Sequence, residues 1–256
     1  MEIGCCISLQ DIEFAEKAGF DFIELKVEAL LPEMDDAHFS LVQETVSRYA
    51  IPVRSFHAFL PPHIQIVGHQ VNRAKYEAYV STAMQRIHAL GGKRVSFGSG
   101  HSRSCPPGFP KEQAEEQIVD FLQFTADAAE KYGIQVNVEG LNGTECNMIH
   151  SLLDANRYVE RLNRANVSLL ADFYHMQMEN EPLAHLIEVK EQLNYVHVAD
   201  MNRYYPGSGN YPFQALMKTL REINYDGPVS IECTWRNTET EIPKAFQFMK
   251  LITRQG

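Results

Sequence analysis

Short β-branched and apolar runs alternate with amphipathic segments along almost the whole chain, and this alternation constrains the fold more than any other feature. Strand-like composition is found in eight runs: EIGCC (2–6), FDFIEL (20–25), IPVRSFH (51–57), KRVSFG (93–98), QVNVE (135–139), SLLAD (168–172), YVH (195–197) and VSIE (229–232). In the segments between them, apolar residues recur at three- and four-residue intervals, and several segments end at Gly, as amphipathic helices do. Repeated strand and helix units favour parallel strands joined by right-handed crossovers.

The number of units favours closure into a barrel. We predict an α/β protein consisting of a single (β/α)8 barrel, the TIM-barrel architecture. An open doubly wound sheet is the alternative, but its first turn usually carries a Gly-rich phosphate-binding pattern, and GCCISLQ (4–10) has none. The Gly/Ser-rich segment 98–108 is expected to be a flexible connection, in which Arg103 is a candidate contact for a substrate phosphate or carboxylate.

Each of the last four strand-like runs ends in a side chain that can bind a metal ion. These side chains are Glu139, Asp172, His197 and Glu232. Neighbouring barrel strands lie about 4.8 Å apart and their C-terminal ends share one face, so the four side chains are expected to converge. Three carboxylates in one place would repel one another, and a divalent cation is the simplest partner for them. The sequence therefore predicts one divalent metal site.

Taken singly, these residues also have simpler interpretations. An acidic residue at a strand end often caps the next helix, and a lone strand histidine is often a hydrogen-bonded core residue. Earlier in the chain, His57 ends the third run and Glu24 lies in the second, so both can face the barrel mouth. We expect His57 to contact a substrate, whereas Glu24 can equally pair with a basic residue below the site. Trp235 either forms a pocket wall or packs in the interior.

Composition and charge limit the domain organisation, the location and the kinds of ligand that we expect for this chain. The 256 residues are 45% hydrophobic and contain no Pro/Gly/Ser-rich linker, which favours one domain over residues 1–256. The five cysteines form no CxxC pair, as expected of reduced thiols. No basic leader or long apolar stretch is present, so we expect a cytoplasmic protein without membrane contact. The net charge of −10 favours a small-molecule substrate over nucleic acid.

Four segments of the second half resemble the xylose isomerase-like TIM-barrel superfamily. They are VEGLNGTE (138–145), ADFYHM (171–176), VHVADMNRYYPGSG (196–209) and YDGPVSIE (225–232). They are most similar to the branch that contains ketose 3-epimerases and sugar-phosphate isomerases and epimerases. This resemblance implies a metal-dependent sugar epimerase or isomerase, with a small ketose, sugar acid or polyol ketone as substrate.

The resemblance also implies roles for individual residues. One divalent ion, usually manganese, magnesium, cobalt or zinc, would be bound by Glu139, Asp172, His197 and Glu232. Glu139 and Glu232 would then act as base and acid on the carbon beside a carbonyl, through an enediolate. Substrate contacts would come from Glu145, His175 and Arg203. Asp200 is expected to orient a ligand or a loop rather than to bind the metal.

The chain departs from the family pattern just after Glu139. Relatives among the ketose epimerases commonly carry Pro-Leu-Asn-Arg there, whereas this chain has Gly140-Leu141-Asn142-Gly143, so the identity of the substrate does not transfer. Three alternatives remain on the same scaffold: an inosose-type dehydratase, a sugar-binding protein without activity, and an endonuclease IV-like nuclease. The nuclease needs three zinc ions and further histidines, and the fourth run ends instead in Phe97-Gly98. Substrate phosphorylation and a possible homo-oligomer stay open.

Overall fold

Eight parallel strands form a closed barrel in the computed structural model, which describes residues 1–254. Each strand pairs with the next one in the chain, and β1 pairs with β8 to close the barrel. The strands are β1 Ile3–Cys6, β2 Phe22–Lys26, β3 Val53–His57, β4 Arg94–Phe97, β5 Gln135–Glu139, β6 Val167–Asp172, β7 Leu193–Val198 and β8 Val229–Ile231. The predicted number, order and direction of the strands are confirmed.

Helices connect the strands and cover the barrel. They are α1 Ile12–Ala18, α2 Asp36–Ser47, α3 Arg73–Ala89, α4 Gly100–Arg103, α5 Lys111–Glu130, α6 Leu152–Leu162, α7 Phe173–Met178, α8 Ala184–Glu188, α9 Phe213–Glu222 and α10 Thr238–Arg254. Short 3-10 helices cover Val27–Leu30 and Met201–Arg203. In residues 1–254 no helix is both long and apolar enough to cross a membrane.

Side chains alternate between the two faces of each strand, as the pleat of a strand requires. In β2, Ile23 and Leu25 are fully buried in the main core, which lies between the strands and the helices. Phe22 belongs instead to a second cluster, with Leu170 and Tyr195, that fills part of the barrel interior. The same alternation turns Glu24 inward, so a charged side chain stands above an apolar layer inside the barrel.

Several interior positions carry small residues, which leaves room for these larger side chains. A Cβ atom at Gly4 of β1 would lie closer than 3.0 Å to the ring of Phe22, so glycine makes space for that ring. Buried serines occupy other central strand positions, including Ser55, Ser96 and Ser230. The large side chains of the barrel interior thus come from few strands, and small or polar side chains occupy much of the remaining interior.

The segment 98–108 differs from the expected flexible connection. It contains helix α4, and Arg103 at the end of that helix is fully buried. Its guanidinium donates to the backbone oxygens of Phe97 at 2.8 Å and Glu139 at 2.7 Å. Arg103 therefore ties the ends of β4 and β5 together, and the interpretation of Arg103 as a substrate contact is wrong. That residues 1–256 form one domain stays a prediction.

Candidate active site

Glu139, Asp172, His197 and Glu232 converge at the C-terminal face of the barrel. Each offers one ligand atom, and these four atoms lie within 4.8 Å of one another. Strand register explains the convergence, because Asp172 is the direct neighbour of His197 on β7, and Glu232 follows the last residue of β8. Asp172, His197 and Glu139 are buried, whereas the side chain of Glu232 is 15% exposed.

Asp172 combines two interpretations that the sequence left as alternatives. One carboxylate oxygen, Oδ1, accepts from the backbone N–H groups of Tyr174 at 2.8 Å and His175 at 3.4 Å, and so caps α7. The other oxygen, Oδ2, is buried and has no hydrogen-bond partner among residues 1–254. A helix cap thus fixes the carboxylate and leaves its second oxygen directed at the cluster.

Two further atoms of the cluster are buried without a hydrogen-bond partner in the described chain. They are Oε1 of Glu139 and Nδ1 of His197, the latter with Oε2 of Glu232 3.4 Å away. Leaving such atoms unsatisfied costs about 1–3 kcal/mol each, and more for charged groups. Three carboxylates and an imidazole form a donor set typical of a divalent cation. The residues therefore fit a divalent ion in number, chemistry and unsatisfied atoms.

The two glutamates of the cluster differ in their electrostatic environment. Burial, and after it the charges of Glu232 and Asp172, raises the pKa of Glu139 well above the ordinary carboxyl value. Burial alone would also raise the pKa of Glu232, but Arg203, His197 and His57 outweigh it and hold that pKa well below the ordinary value. The protein by itself thus offsets the charge of only one of the two carboxylates, and a cation would supply the missing positive charge.

Two basic side chains hold Glu232. Nδ1 of His57 lies 2.7 Å from Oε1 of Glu232, and Nη2 of Arg203 donates to Oε2 at 2.7 Å. Arg203 also donates to Oε1 of Glu145 at 3.1 Å through Nη1. The structure therefore brings His57, Arg203 and Glu145 to the cluster.

His175 is held in one tautomer by Asn142. Nδ1 of His175 accepts from the backbone N–H of Asn142 at 3.2 Å, so in the neutral ring the proton lies on Nε2. Burial lowers the pKa of His175, which favours this neutral form. Nε2 lies 3.6 Å from Oδ2 of Asp172 and 4.0 Å from Oε1 of Glu139. His175 thus directs an N–H group toward the two unsatisfied carboxylate oxygens.

Asn142 has a role that sequence reasoning did not assign. The side-chain amide of Asn142 lies 2.8 Å from Nδ1 of His175 and donates to Oε1 of Glu145 at 3.1 Å, so it aligns both. Its own oxygen accepts from the N–H of Thr144 at 3.0 Å, a turn for which Asn-Gly was an available signal. Glu24, for which pairing with a basic residue was one of the two expectations, contacts the basic side chain of His197 and the hydroxyl of Tyr195 inside the barrel.

Asp200 organises the loop after β7, which is one of the two roles expected for it. It is fully buried, and its carboxylate accepts from the backbone N–H groups of Met201, Gly207, Gly209 and Tyr211 at distances from 2.8 to 3.1 Å. This loop contains Arg203, whose φ of 57° lies in the left-handed region. Asp200 therefore helps to hold a loop that places Arg203 over the cluster.

A cavity of about 1000 Å³ opens above the cluster. Glu139, Glu232, Glu145, Arg203 and His57 all line it. Trp235 also lines the cavity, in agreement with its interpretation as a pocket wall, and its indole Nε1 donates to the backbone oxygen of Cys6 at 2.8 Å. Three carboxylates, a guanidinium and an imidazole thus face one space that a small polar substrate can enter.

The family described as xylose isomerase-like TIM barrel matches residues 12–252. The chain belongs to this family. It is 27% identical to the 3-dehydro-D-guloside 4-epimerase of Escherichia coli (strain K12), with 88% of this chain and 86% of that protein covered. It is 26% identical to the L-ribulose 3-epimerase of Methylomonas sp. (strain DH-1), with 92% and 88% covered.

A solved structure agrees with these similarities. The apo form of 3-keto-D-glucoside 4-epimerase from E. coli superposes with a TM-score of 0.82 at 25% identity, with 98% of both chains covered. These relatives confirm the predicted sugar epimerase branch and the predicted enzyme class, a sugar epimerase or isomerase.

Proposed function

We propose that this chain is a divalent-metal-dependent epimerase or isomerase of a keto sugar, with Glu139 and Glu232 as its acid and base. Two observations carry the proposal: Glu139, Asp172, His197 and Glu232 offer ligand atoms within 4.8 Å of one another, and the first three each have a buried atom without a hydrogen-bond partner among residues 1–254. The names of the two relatives support it, since both denote inversion at a carbon beside a ketone.

The four clustered residues would hold the cation, for which manganese, magnesium, cobalt and zinc are the candidates. When bound, it supplies Lewis acidity that polarises the substrate carbonyl and acidifies the neighbouring C–H bond. Glu139 on β5 and Glu232 after β8 approach the cavity from different parts of the barrel. One carboxylate removes the proton from the carbon beside the carbonyl, and the other delivers a proton to the opposite face, which gives the enediolate and then the epimer.

The surrounding residues position the substrate and the acid–base pair. Arg203 and Glu145 present a cation and a carboxylate to substrate hydroxyls, and the Nε2–H of His175 donates to a substrate oxygen. Nδ1 of His57 holds Glu232, which leaves Nε2 of the same ring for the substrate. Together these contacts fix the carbon that loses its proton between Glu139 and Glu232.

Deuterium incorporation tests the proposal directly. The metal-loaded protein is incubated in D2O with ketoses, hydroxypyruvate and inosose, and each compound is followed by NMR. We expect one carbon-bound proton to be replaced by deuterium in at least one keto sugar. Loss of water instead would identify the inosose-type dehydratase alternative. Binding without either reaction would leave a sugar-binding protein, and the proposed enzyme would be excluded.

Glutamine variants test the two acid–base roles. Glu139→Gln and Glu232→Gln keep the size of the side chain and one oxygen but remove the proton-transfer group. At saturating metal, each is expected to lower exchange by more than about 10²-fold, the lower range of general acid–base catalysis. Glu188→Gln, at an exposed carboxylate of α8, is the matched control and should leave exchange unchanged. Full exchange in either site variant would remove that glutamate from the acid–base pair.

A further inference from the structure

The cavity extends well beyond the acid–base pair, across the opposite side of the barrel mouth. Three of the four clustered residues lie on β5, β6 and β7, which are consecutive in the barrel. The strands β8, β1 and β2 are also consecutive, and the residues that follow them line the other side of the cavity. These residues include Trp235 after β8, Asp11 after β1, and Lys26 and Glu28 at the end of β2 and just after it. We call this side of the cavity the outer side.

The volume of the cavity is larger than one keto sugar requires. Cavities that enclose drug-sized ligands measure about 300–1,000 Å³. This cavity, at about 1000 Å³, reaches the top of that range. A monosaccharide is only about half the size of a disaccharide, so it would fill only part of the cavity. A free sugar placed against Glu139 and Glu232 would leave the outer side without a ligand.

Trp235 gives the outer side a fixed aromatic wall. The residue is half-buried, and its Nε1 is anchored to the backbone oxygen of Cys6 at 2.8 Å. An indole held by its polar edge presents its apolar face at low entropic cost. The C–H face of a sugar ring is a matching partner, because it packs on aromatic carbon while its hydroxyls point sideways.

The charges of the outer side favour a neutral ligand. Lys26 lies on the inward-facing side of β2 with Glu24, by the alternation of the strand, and it lines the cavity. Within residues 1–254, neither Lys26 nor Glu28 forms an ion pair, and Asp11 accepts a hydrogen bond from Ser8 at 2.6 Å. The carboxylates of Glu28 and Asp11 outnumber the ammonium group of Lys26, so this side repels a ligand that carries a phosphate or a carboxylate. Sugar hydroxyls, in contrast, can donate to the two carboxylates and accept from the ammonium group.

We propose that the outer side is a second sugar-binding subsite, so that the substrate is a neutral glycoside of a keto sugar rather than a free or phosphorylated one. This proposal rests on the proposed function for the identity of the reacting ring. The keto ring would lie against Glu139 and Glu232, and the group joined to it would stack on Trp235, with its hydroxyls bound by Lys26, Glu28 and Asp11.

Fluorescence measures the subsite without any reaction, because Trp235 is the only tryptophan of the chain. The metal-loaded protein is titrated with glucose, glucose 6-phosphate, maltose and cellobiose. We expect a saturable change in Trp235 emission with a neutral disaccharide, at a concentration at least about 10-fold below that needed for glucose or its phosphate. Equal or stronger binding of glucose 6-phosphate would overturn the proposal.

Kinetics measures the subsite in turnover. For a keto sugar that exchanges deuterium, kcat/KM is compared between the free sugar, its phosphate and its neutral disaccharide. We expect the disaccharide to exceed the free sugar by about 10-fold or more, and Trp235→Ala to bring this ratio close to one. Trp235→Phe keeps an aromatic face and should keep most of the preference, and it also separates lost stacking from poor folding.

The outcomes distinguish the two proposals. Exchange of free and glycosylated sugars with equal kcat/KM would refute the subsite and leave the epimerase or isomerase intact. A fluorescence response to disaccharides without exchange of any sugar would refute the enzyme and leave the subsite. If the protein shows neither exchange nor a fluorescence response, both proposals are refuted.

Discussion

Glu24 and His197 lie 173 residues apart in the sequence and meet inside the barrel, where Oε2 of Glu24 is 3.0 Å from Nε2 of His197. Both side chains are fully buried. The same oxygen accepts from the hydroxyl of Tyr195 at 2.5 Å. Because an ionised carboxylate only accepts, the proton between Glu24 and His197 belongs to Nε2, and in the neutral ring that a metal ligand requires, Nδ1 then carries the lone pair toward the cluster. Glu24 thus sets both the tautomer and the orientation of His197.

The first prediction concerns this contact. Replacing Glu24 with Gln removes the negative charge behind His197, and an amide can turn its NH2 group toward the ring and select the wrong tautomer. Partners of this kind typically change metal affinity by about 10–100-fold, so we expect a decrease of that size in a calorimetric titration of the apo protein.

Tyr195→Phe is the matched control for Glu24→Gln. It removes the other partner of Glu24 but leaves the contact with His197, so its metal affinity should stay close to that of the wild type. If Glu24→Gln bound the metal as tightly as the wild type, Glu24 would have no role in positioning His197.

The barrel and the four clustered residues were accessible from sequence for a simple reason. Each of Glu139, Asp172, His197 and Glu232 interrupts an apolar run at the point where a strand ends, and parallel strands bring such points together. The periodicity of apolar residues along the chain shows where the strands end, so the site can be predicted without knowing which residues pair across the barrel.

Side-chain pairings inside the barrel were not accessible in this way. Alternation alone turns Glu24 inward, but its partner depends on β7, which is three strands away from β2 around the closed barrel. The composition of the segment 98–108 indicated a loop, whereas Arg103 is buried because two strand-end carbonyls accept its hydrogen bonds. Such partners come from tertiary packing, which overrides local composition. The cytoplasmic location, the lack of nucleic-acid binding and a homo-oligomer stay predictions.

The second prediction concerns Gly98, which follows β4. A Cβ atom at this position would lie closer than 3.0 Å to Oε2 of Glu139. Gly98→Ala should therefore displace the carboxylate, because the end of the Glu139 side chain can move aside more easily than the backbone. Misplacement of a reacting group by about 1 Å can cost about 10²-fold, so we expect kcat/KM for the exchanging sugar to fall by roughly 10–100-fold.

Gly143→Ala is the control for Gly98→Ala. A Cβ atom there would meet Oε1 of Glu179 at 3.5 Å, an ordinary contact, although Gly143 lies near Glu145 in the same loop. Its kinetics should stay within a few-fold of the wild type. Equal losses in both variants would indicate general sensitivity of the site rather than displacement of Glu139.

The third prediction concerns Arg203, whose guanidinium contacts Glu232 and Glu145. Arg203→Ala should reduce kcat/KM by about 10²-fold, since a charged hydrogen bond contributes a few kcal/mol. Metal content should stay intact, because Arg203 offers no ligand atom. Arg203→Lys keeps the charge but not the forked geometry and should recover only part of the loss. Unchanged kinetics in Arg203→Ala would make this residue a loop arginine without a role in the reaction.

The last prediction concerns removal of the metal. An ion that binds only the folded chain stabilises it by about 2.7 kcal/mol at a hundredfold excess over Kd. For a chain of this size, a chelator should therefore lower Tm by roughly 5–10 °C, measured by calorimetry, and metal analysis should give close to one ion per chain. Asp172→Asn is the informative variant, because asparagine can still cap α7 through Oδ1 while the charged ligand is lost. Its Tm should respond little to the chelator. A wild-type Tm that ignores the chelator with all four candidate metals would refute the metal site, and about three ions per chain would favour the nuclease alternative.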